Sequence, residues 1–210
     1  IVDELKLDAL ALRCWVEMQQ QLHISPCVLL SEMNDRGLYV ACEVDIGTAV
    51  TMRALGAASG AAATCLDWNN NYGDDENKCI LFHCGPVPQD LMAGPGQIVD
   101  HPMFAKVLGP GCGFGCNTGR IAPAPLTFSS AKTMDGKLSF YLGEGRFTAD
   151  PIAPEFFGCA GVAEIPRLQD ILEHVGHEGY RHHVSVTTGH VAAAVREAFT
   201  RYLGYELAEP

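Results

Sequence analysis

Cations are scarce in this 210-residue chain: Lys and Arg total 14 against 25 Asp and Glu, a formal net charge of −11 at pH 7. A surface that acidic repels phosphate backbones and anionic lipid, so neither nucleic acid nor a membrane is an expected partner. No apolar run approaches the roughly 20 residues that span a bilayer. The start, IVDELKLDAL, lacks the basic-then-apolar layout of a secretory leader. It also lacks an initiating Met, as expected of a processed, excised or truncated piece. The nine cysteines are odd in number and scattered through apolar runs. They read as reduced thiols packed inside a cytoplasmic protein. Cys112 and Cys116 make one close pair, but no second pair completes a four-ligand zinc set.

Periodicity supplies the elements. Leu7, Leu10, Ala11, Trp15 and Met18 recur at helical spacing, which predicts one amphipathic helix over residues 3–21 with Trp15 in its core face. ISPCVLLSEMNDRG reads as a strand or a short helix closed by Asn34, Asp35 and Gly37. Residues 38–42 read as a buried strand ending at Glu43. Residues 46–59 read as a helix with Asp45 as its N-cap and Gly60 as its C-cap, and residues 63–66 as a strand delivering Asp67. That order predicts a strand–helix–strand unit with parallel strands and a right-handed crossover.

The second half changes character. WNNNYGDDEN reads as a polar loop, KCILFHCG as a strand, and residues 85–125 as irregular. APLTFSSAKTMDGKLSFYLGEGRFTAD reads as three strands and two turns, the first turn at Met134, Asp135 and Gly136. A short helix over 166–175, a strand in YRHHVSVTT and a closing helix over 190–203 follow. Val191, Ala194, Val195, Ala198, Phe199 and Tyr202 share the closing helix's expected apolar face. The expected fold is an α/β segment followed by a mainly antiparallel β-barrel-like domain with a C-terminal helix. A composition shift near residues 58–62 divides it into 1–57 and 58–210.

Strand ends are where α/β sheets place ligands. The 24-residue step from Glu43 to Asp67 fits one helix and one returning strand, so the two acids would share an end of neighbouring strands about 4.8 Å apart. They either share a cation or substrate there or sit solvated at strand and helix ends. His182 and His183 open a late strand, and alternation lets one of them face a given site. Two carboxylates and one imidazole, with positions left for oxygen ligands, suit Mn²⁺ or Mg²⁺. GPGCGFGCNTG is not flanked by a strand and a helix, which excludes a nucleotide loop.

ALRCWVEMQ, ACEVD, the step to LDWNN, HCGP and the terminal RHHVSVTTGHVAAAVREAFTRYLG together resemble the L-fucose isomerase family, with the L-arabinose isomerases as more distant relatives. The resemblance spans nearly the whole chain and corresponds to the family's second and C-terminal domains, under half of a typical member. It implies a metal-dependent aldose–ketose isomerase working through an enediol. Glu43, Asp67 and His183 would hold Mn²⁺, with Mg²⁺ or Co²⁺ as alternatives, and Glu43 and Asp67 would be the catalytic proton-transfer pair. His182, Trp68 and His83 would contact the sugar. Either His83 adds a further metal ligand, or its strand runs antiparallel and carries it away. The resemblance also implies a homo-oligomer with shared active sites. His182 stands where the fucose enzymes tend to carry Asn, so the sugar is not identified. A metal-dependent hydrolase and a catalytically silent sugar-binding or assembly module are the rival readings.

Overall fold

Leu66, Leu126, Phe128, Tyr141, Val184 and Val186 alternate with residues facing the other way, and that period of two closes a barrel around them. The computed structural model describes all 210 residues. In chain order the elements begin with α1 (Val2–Leu5), β1 (Ala9–Ala11), α2 (Glu17–Leu22), α3 (Cys27–Asp35) and β2 (Tyr39–Ala41). Then come α4 (Ile46–Ser59), β3 (Ala63–Tyr72), β4 (Asp75–His83), β5 (Gln97–Asp100), α5 (Pro102–Leu108) and β6 (Phe114–Arg120). The chain finishes with β7 (Ala124–Met134), β8 (Lys137–Phe147), β9 (Cys159–Glu164), α6 (Leu168–His177), β10 (His183–Thr188), α7 (Ala192–Arg196) and β11 (Glu206–Ala208).

Six strands pair antiparallel in the order β8-β7-β10-β3-β4-β9, and β9 returns to β8 to close the ring. β6 and β11 extend it through parallel contacts with β9 and β8, and β5 pairs with β6. Leu168, Ile171 and Val175 of α6 join the barrel's interior cluster. A second cluster lies outside the barrel. There Ala49, Met52 and Leu55 of α4 and Val195 and Phe199 near the C-terminus cover Ala63, Cys65, Ala131, Phe140 and Leu142. The expected barrel-like fold and closing helix are therefore observed. No helix is long and apolar enough to cross a membrane.

Several expectations give way to longer-range pairing. Residues 3–21 do not form one helix: β1 lies between α1 and α2 and pairs parallel with β2. Leu10, Leu12 and Cys14 already carry a period of two, and all three pack with Leu30, Val40 and Cys42. β2 and β3 are not neighbours in one parallel sheet, because β3 pairs antiparallel with β10 and β4. ISPCVLLSEMNDRG settles as helix α3. The polar stretch WNNNYGDDEN is the exposed end of the β3–β4 hairpin rather than a loop. The closing helix follows α7 with a π-helical turn over Glu197–Tyr202, which leaves Tyr202 exposed while Val195 and Phe199 stay buried.

GEG does not turn the chain, and β8 runs through it unbroken. A Cβ on Gly143 would stand 2.3 Å from the Phe128 ring, and one on Gly145 2.6 Å from the Glu164 carbonyl. These glycines permit close approach across the barrel and its seam, which is the second meaning of glycine in a strand. Gly143→Ala is expected to lower stability by about 1–3 kcal/mol through overpacking. Gly94→Ala, with nothing within 4 Å of the added carbon, serves as the near-neutral control. Urea denaturation of both variants checks this, and equal midpoints would refute it.

Candidate functional site

β10 begins at His183, whose register partner on β3 is Asp67. Directly opposite residues on antiparallel strands bring their side chains within about 4.5–5.5 Å at Cβ, and His183 Nε2 lies 3.6 Å from Asp67 Oδ1. Both project from the outer face of the barrel, on the side covered by α4. That helix starts at Asp45, whose Oδ1 accepts the Thr48 N–H at 3.0 Å, the expected N-cap. The same carboxylate reaches β10: His183 Nδ1–H donates to Asp45 Oδ2 at 2.9 Å, and Arg181 donates to Oδ1 at 3.3 Å.

Glu43 arrives from a third direction. Glu43 and Val44 follow β2 with φ of 58° and 59°, and two consecutive non-glycine residues in the left-handed region are strained, the β-branched Val44 most of all. This reversal brings Glu43 Oε2 to 3.5 Å from His183 Nε2. His182 Nε2 lies 3.5 Å from Asp67 Oδ1, although its side chain is 63% exposed while that of His183 is 4% exposed. Both histidines reach Asp67 because His182 precedes the regular strand, so alternation does not separate them as expected. His83 ends the antiparallel β4, yet its ring centre is 5.7 Å from that of His183. An open pocket of about 370 Å³ lined by Arg13, Trp15, Glu43 and Val44 adjoins the acids.

Trp68 is not at this site. It follows Asp67 on β3 and faces the opposite way, into the barrel, where its indole N–H donates to Tyr141 Oη at 2.9 Å and its ring meets Phe128. Asp45, by contrast, was legible only as a helix cap, and Arg181 carried no signal.

Three buried polar atoms here have no hydrogen-bond partner: Asp67 Oδ1, His183 Nε2 and His83 Nε2. Burial alone would lower the pKa of His183, but its bond to Asp45 and the nearby carboxylates of Glu43 and Asp67 outweigh that and raise it to about 10. Burial likewise works to raise Asp45, but His183, the Thr48 N–H and Arg181 bring it down to about 2. The His183 imidazole holds Glu43 below the usual carboxylate range, whereas burial pushes Asp67 above it. Several acids thus converge on one imidazole whose outward nitrogen is unpartnered and whose inner nitrogen is fixed by Asp45. That is a donor set suited to a divalent cation with oxygen and nitrogen ligands, the Nδ1 bond to a carboxylate being the usual way a ligating imidazole is oriented. Glu43, His182 and His183 bring one ligand atom each within 4.8 Å of one another, and Asp67 Oδ1 faces both histidines.

A family profile described as L-fucose isomerase, C-terminal domain, matches residues 81–209. His183 lies inside that match, whereas Glu43 and Asp67 lie before it. A sulfoquinovose isomerase of Priestia aryabhattai is 28% identical over 191 residues, covering 89% of this chain and 40% of the relative. A sulfoquinovose isomerase of Alkalicoccus urumqiensis is 26% identical over 203 residues, covering 93% of this chain and 43% of the relative. The chain thus spans about two fifths of the length of these curated relatives.

Asp45 links helix cap and imidazole, so its loss is expected to show in stability. Asp45→Ala removes the cap acceptor and leaves a buried imidazole N–H unpaired, at about 2–4 kcal/mol together. Asp45→Asn keeps an acceptor for Thr48 and should lose less. Urea midpoints measure both, and an Ala variant as stable as the parent would refute the linkage.

Proposed function

The chain belongs to the L-fucose isomerase C-terminal domain family, and on that premise we propose that it carries the metal-holding part of an aldose–ketose isomerase. Residues 1–57 are the tail of a preceding α/β domain and 58–210 the C-terminal barrel domain. Glu43, Asp67 and His183 hold the cation, with Mn²⁺ the proposed ion. Support comes from the convergence of the unpartnered Asp67 Oδ1 and His183 Nε2 with Glu43 Oε2, within 3.6 Å of one nitrogen. When bound, a divalent cation polarises a sugar carbonyl and acidifies the adjacent hydroxyl.

The side chains supply the rest. A carbonyl-adjacent C–H is a weak acid, and a positioned carboxylate speeds its deprotonation. One of Glu43 and Asp67 removes the proton from carbon 2 of the aldose, leaving an enediol, and returns it to carbon 1. The other carboxylate moves the hydroxyl proton between the two oxygens, so that the ketose forms with no net gain or loss of protons. Asp45 and Arg181 do not touch the sugar. They keep His183 in the tautomer whose free nitrogen points outward. His182, exposed above Asp67, and His83, with its unpartnered Nε2, contact sugar oxygens. The sugar is an aldose of the 6-deoxyhexose, pentose or 6-sulfonated type, the last because the curated relatives bear the name sulfoquinovose isomerase.

The half-exposed Glu43 and the exposed His182 leave one side of the site open, and in a homo-oligomer a neighbouring copy covers it. All nine cysteines are free thiols, which fits a reducing compartment such as the cytoplasm.

The test is turnover of L-fucose, L-arabinose and sulfoquinovose by the protein that carries this chain, in deuterium oxide with Mn²⁺ added. Deuterium should enter at the carbon next to the carbonyl. Glu43→Gln and Asp67→Asn should each cut that exchange by about 10²-fold or more. Unchanged turnover in Glu43→Gln would overturn the assignment. Mn²⁺-dependent cleavage of phosphate or ester substrates without sugar turnover would favour a hydrolase. Sugar binding without exchange would favour a silent binding module.

A further inference from the structure

Cys14 and Cys42 stand 28 residues apart in the chain and meet sulfur to sulfur at 3.0 Å, both of them buried. The parallel pairing of β1 with β2 brings them there. It continues beyond the strands, where the Leu12 N–H donates to the Ala41 carbonyl at 2.9 Å and the Val44 N–H to the Leu12 carbonyl at 3.2 Å. Gln19 Nε2–H donates to the Cys14 carbonyl at 2.8 Å, and Leu30 and Val40 share the buried cluster of the two thiols. This pair lies at the root of the open pocket beside the acids. Arg13 and Trp15 flank Cys14, Glu43 and Val44 follow Cys42, and those four residues line the pocket of about 370 Å³.

We propose that Cys14 and Cys42 form a redox switch in the wall of this pocket, closed to a disulfide by a hydroperoxide and reopened by a dithiol. One sulfur loses its proton and takes the terminal oxygen of the hydroperoxide, whose O–O bond breaks. The products are a sulfenic acid and, with that proton, water or an alcohol. The second sulfur then displaces the oxygen: the S–S bond forms, the S–O bond breaks, and the hydroxyl leaves with the second thiol's proton as water. Two thiols are oxidised by two electrons, and the hydroperoxide is reduced by the same two. A dithiol returns both electrons by thiol–disulfide exchange.

A disulfide bond of about 2.05 Å draws the two sulfurs together by roughly 1 Å. Their surroundings are packed, so part of that shift passes to the backbone of Cys42. The next residues are Glu43 and Val44, already strained at φ of 58° and 59°. Closing the switch therefore moves Glu43 relative to Asp67 and His183. That consequence for turnover rests on the isomerase reading, whereas the disulfide chemistry does not. Other thiols are less well placed. Cys27 and Cys84 stand 3.6 Å apart, and Cys84 Sγ also lies 3.2 Å from His83 Nδ1. Cys112 Sγ donates to the Leu108 carbonyl and Cys116 Sγ to that of Cys84. In a reducing compartment a disulfide is transient, as a switch requires.

The experiment treats the protein that carries this chain with hydrogen peroxide, blocks remaining thiols by alkylation and digests it without reductant. Mass spectrometry should find the Cys14 and Cys42 peptides joined, about 2 Da lighter than the two thiol peptides together, and dithiothreitol should separate them. Absence of the joined peptides, or a different cysteine pair in their place, overturns the proposal. The same treatment should lower sugar turnover on the order of tenfold or more, since a misplacement of about 1 Å is that costly to catalysis. Dithiothreitol should restore turnover, and Cys14→Ser should keep it throughout. Turnover unchanged after the bond has formed overturns the switch. A reduced protein without sugar turnover refutes the isomerase reading instead. Amide hydrogen exchange of residues 42–44 then decides, a change on oxidation supporting the switch and no change overturning it. Circular dichroism reports whether Cys14→Ser folds, and if it does not, recovery of the parent under dithiothreitol decides alone.

Discussion

The hydrogen bond from His183 Nδ1–H to Asp45 Oδ2 is the contact on which the site's geometry depends. It joins the first strand residue of β10 to the N-terminus of α4, so an element of the barrel and an element outside it share one carboxylate. The rest of α4 makes this junction rigid. Ala49, Met52 and Leu55 bury against the outer barrel face, and the Ser185 hydroxyl meets both Thr51 Oγ1 and the Thr48 carbonyl. Asp45 stays ionised there because the helix N-terminus offers it an N–H and a favourable dipole, while His183 and Arg181 add positive charge. An ionised Asp45 fixes which nitrogen of His183 carries hydrogen, and the other nitrogen is then turned toward Glu43 and Asp67.

That arrangement is electrostatically unfinished without a cation. Burying carboxylates together is unfavourable unless positive charge is near. Within the chain a proton on His183 supplies that charge, which is why its pKa is raised. A divalent ion would take over that neutralising role while using the same lone pair. The strained Glu43 and Val44 backbone has the same meaning: left-handed non-glycine residues persist where surrounding structure holds them for a purpose. Here the purpose is to aim Glu43 at the nitrogen that Asp67 faces across the strand pair.

Local signals were readable and long-range ones were not. The helix over 46–59 was legible with both caps, because Asp45 and Gly60 act within a turn of the helix end. The strand at His183 and the barrel class were also legible from alternation and turn residues. The meeting of Asp67 with His183 comes from antiparallel register, which no spacing along the chain encodes, so the parallel strand–helix–strand unit was a reasonable but mistaken route to the same neighbourhood. Leu7 to Met18 satisfy a helical period and, at Leu10, Leu12 and Cys14, a strand period too. Pairing with β2 decides between them. Trp68 is a different case, since strand alternation from Asp67 already points it away. The meetings of Cys14 with Cys42 and of Cys27 with Cys84 carry no sequence signal, because singly spaced residues form no motif until the fold assembles them.

Two kinds of donor meet around the imidazoles of His83 and His183. Oxygen atoms of Glu43 and Asp67 face Nε2 of His183, and the sulfur of Cys65 lies within 4.8 Å of ligand nitrogens of His83 and His183. His83 also touches Cys84, whose Sγ is 3.2 Å from its Nδ1. Protonation of such thiols matters for selectivity, because a thiolate beside the oxygen donors would favour zinc over manganese. Burial, reinforced by the charge of Asp67, pushes the Cys65 thiol well up, so it stays a neutral neighbour of His183. The strained turn at Glu43 therefore matters for the balance of donors, since it brings a second carboxylate to an imidazole that a neutral thiol also approaches.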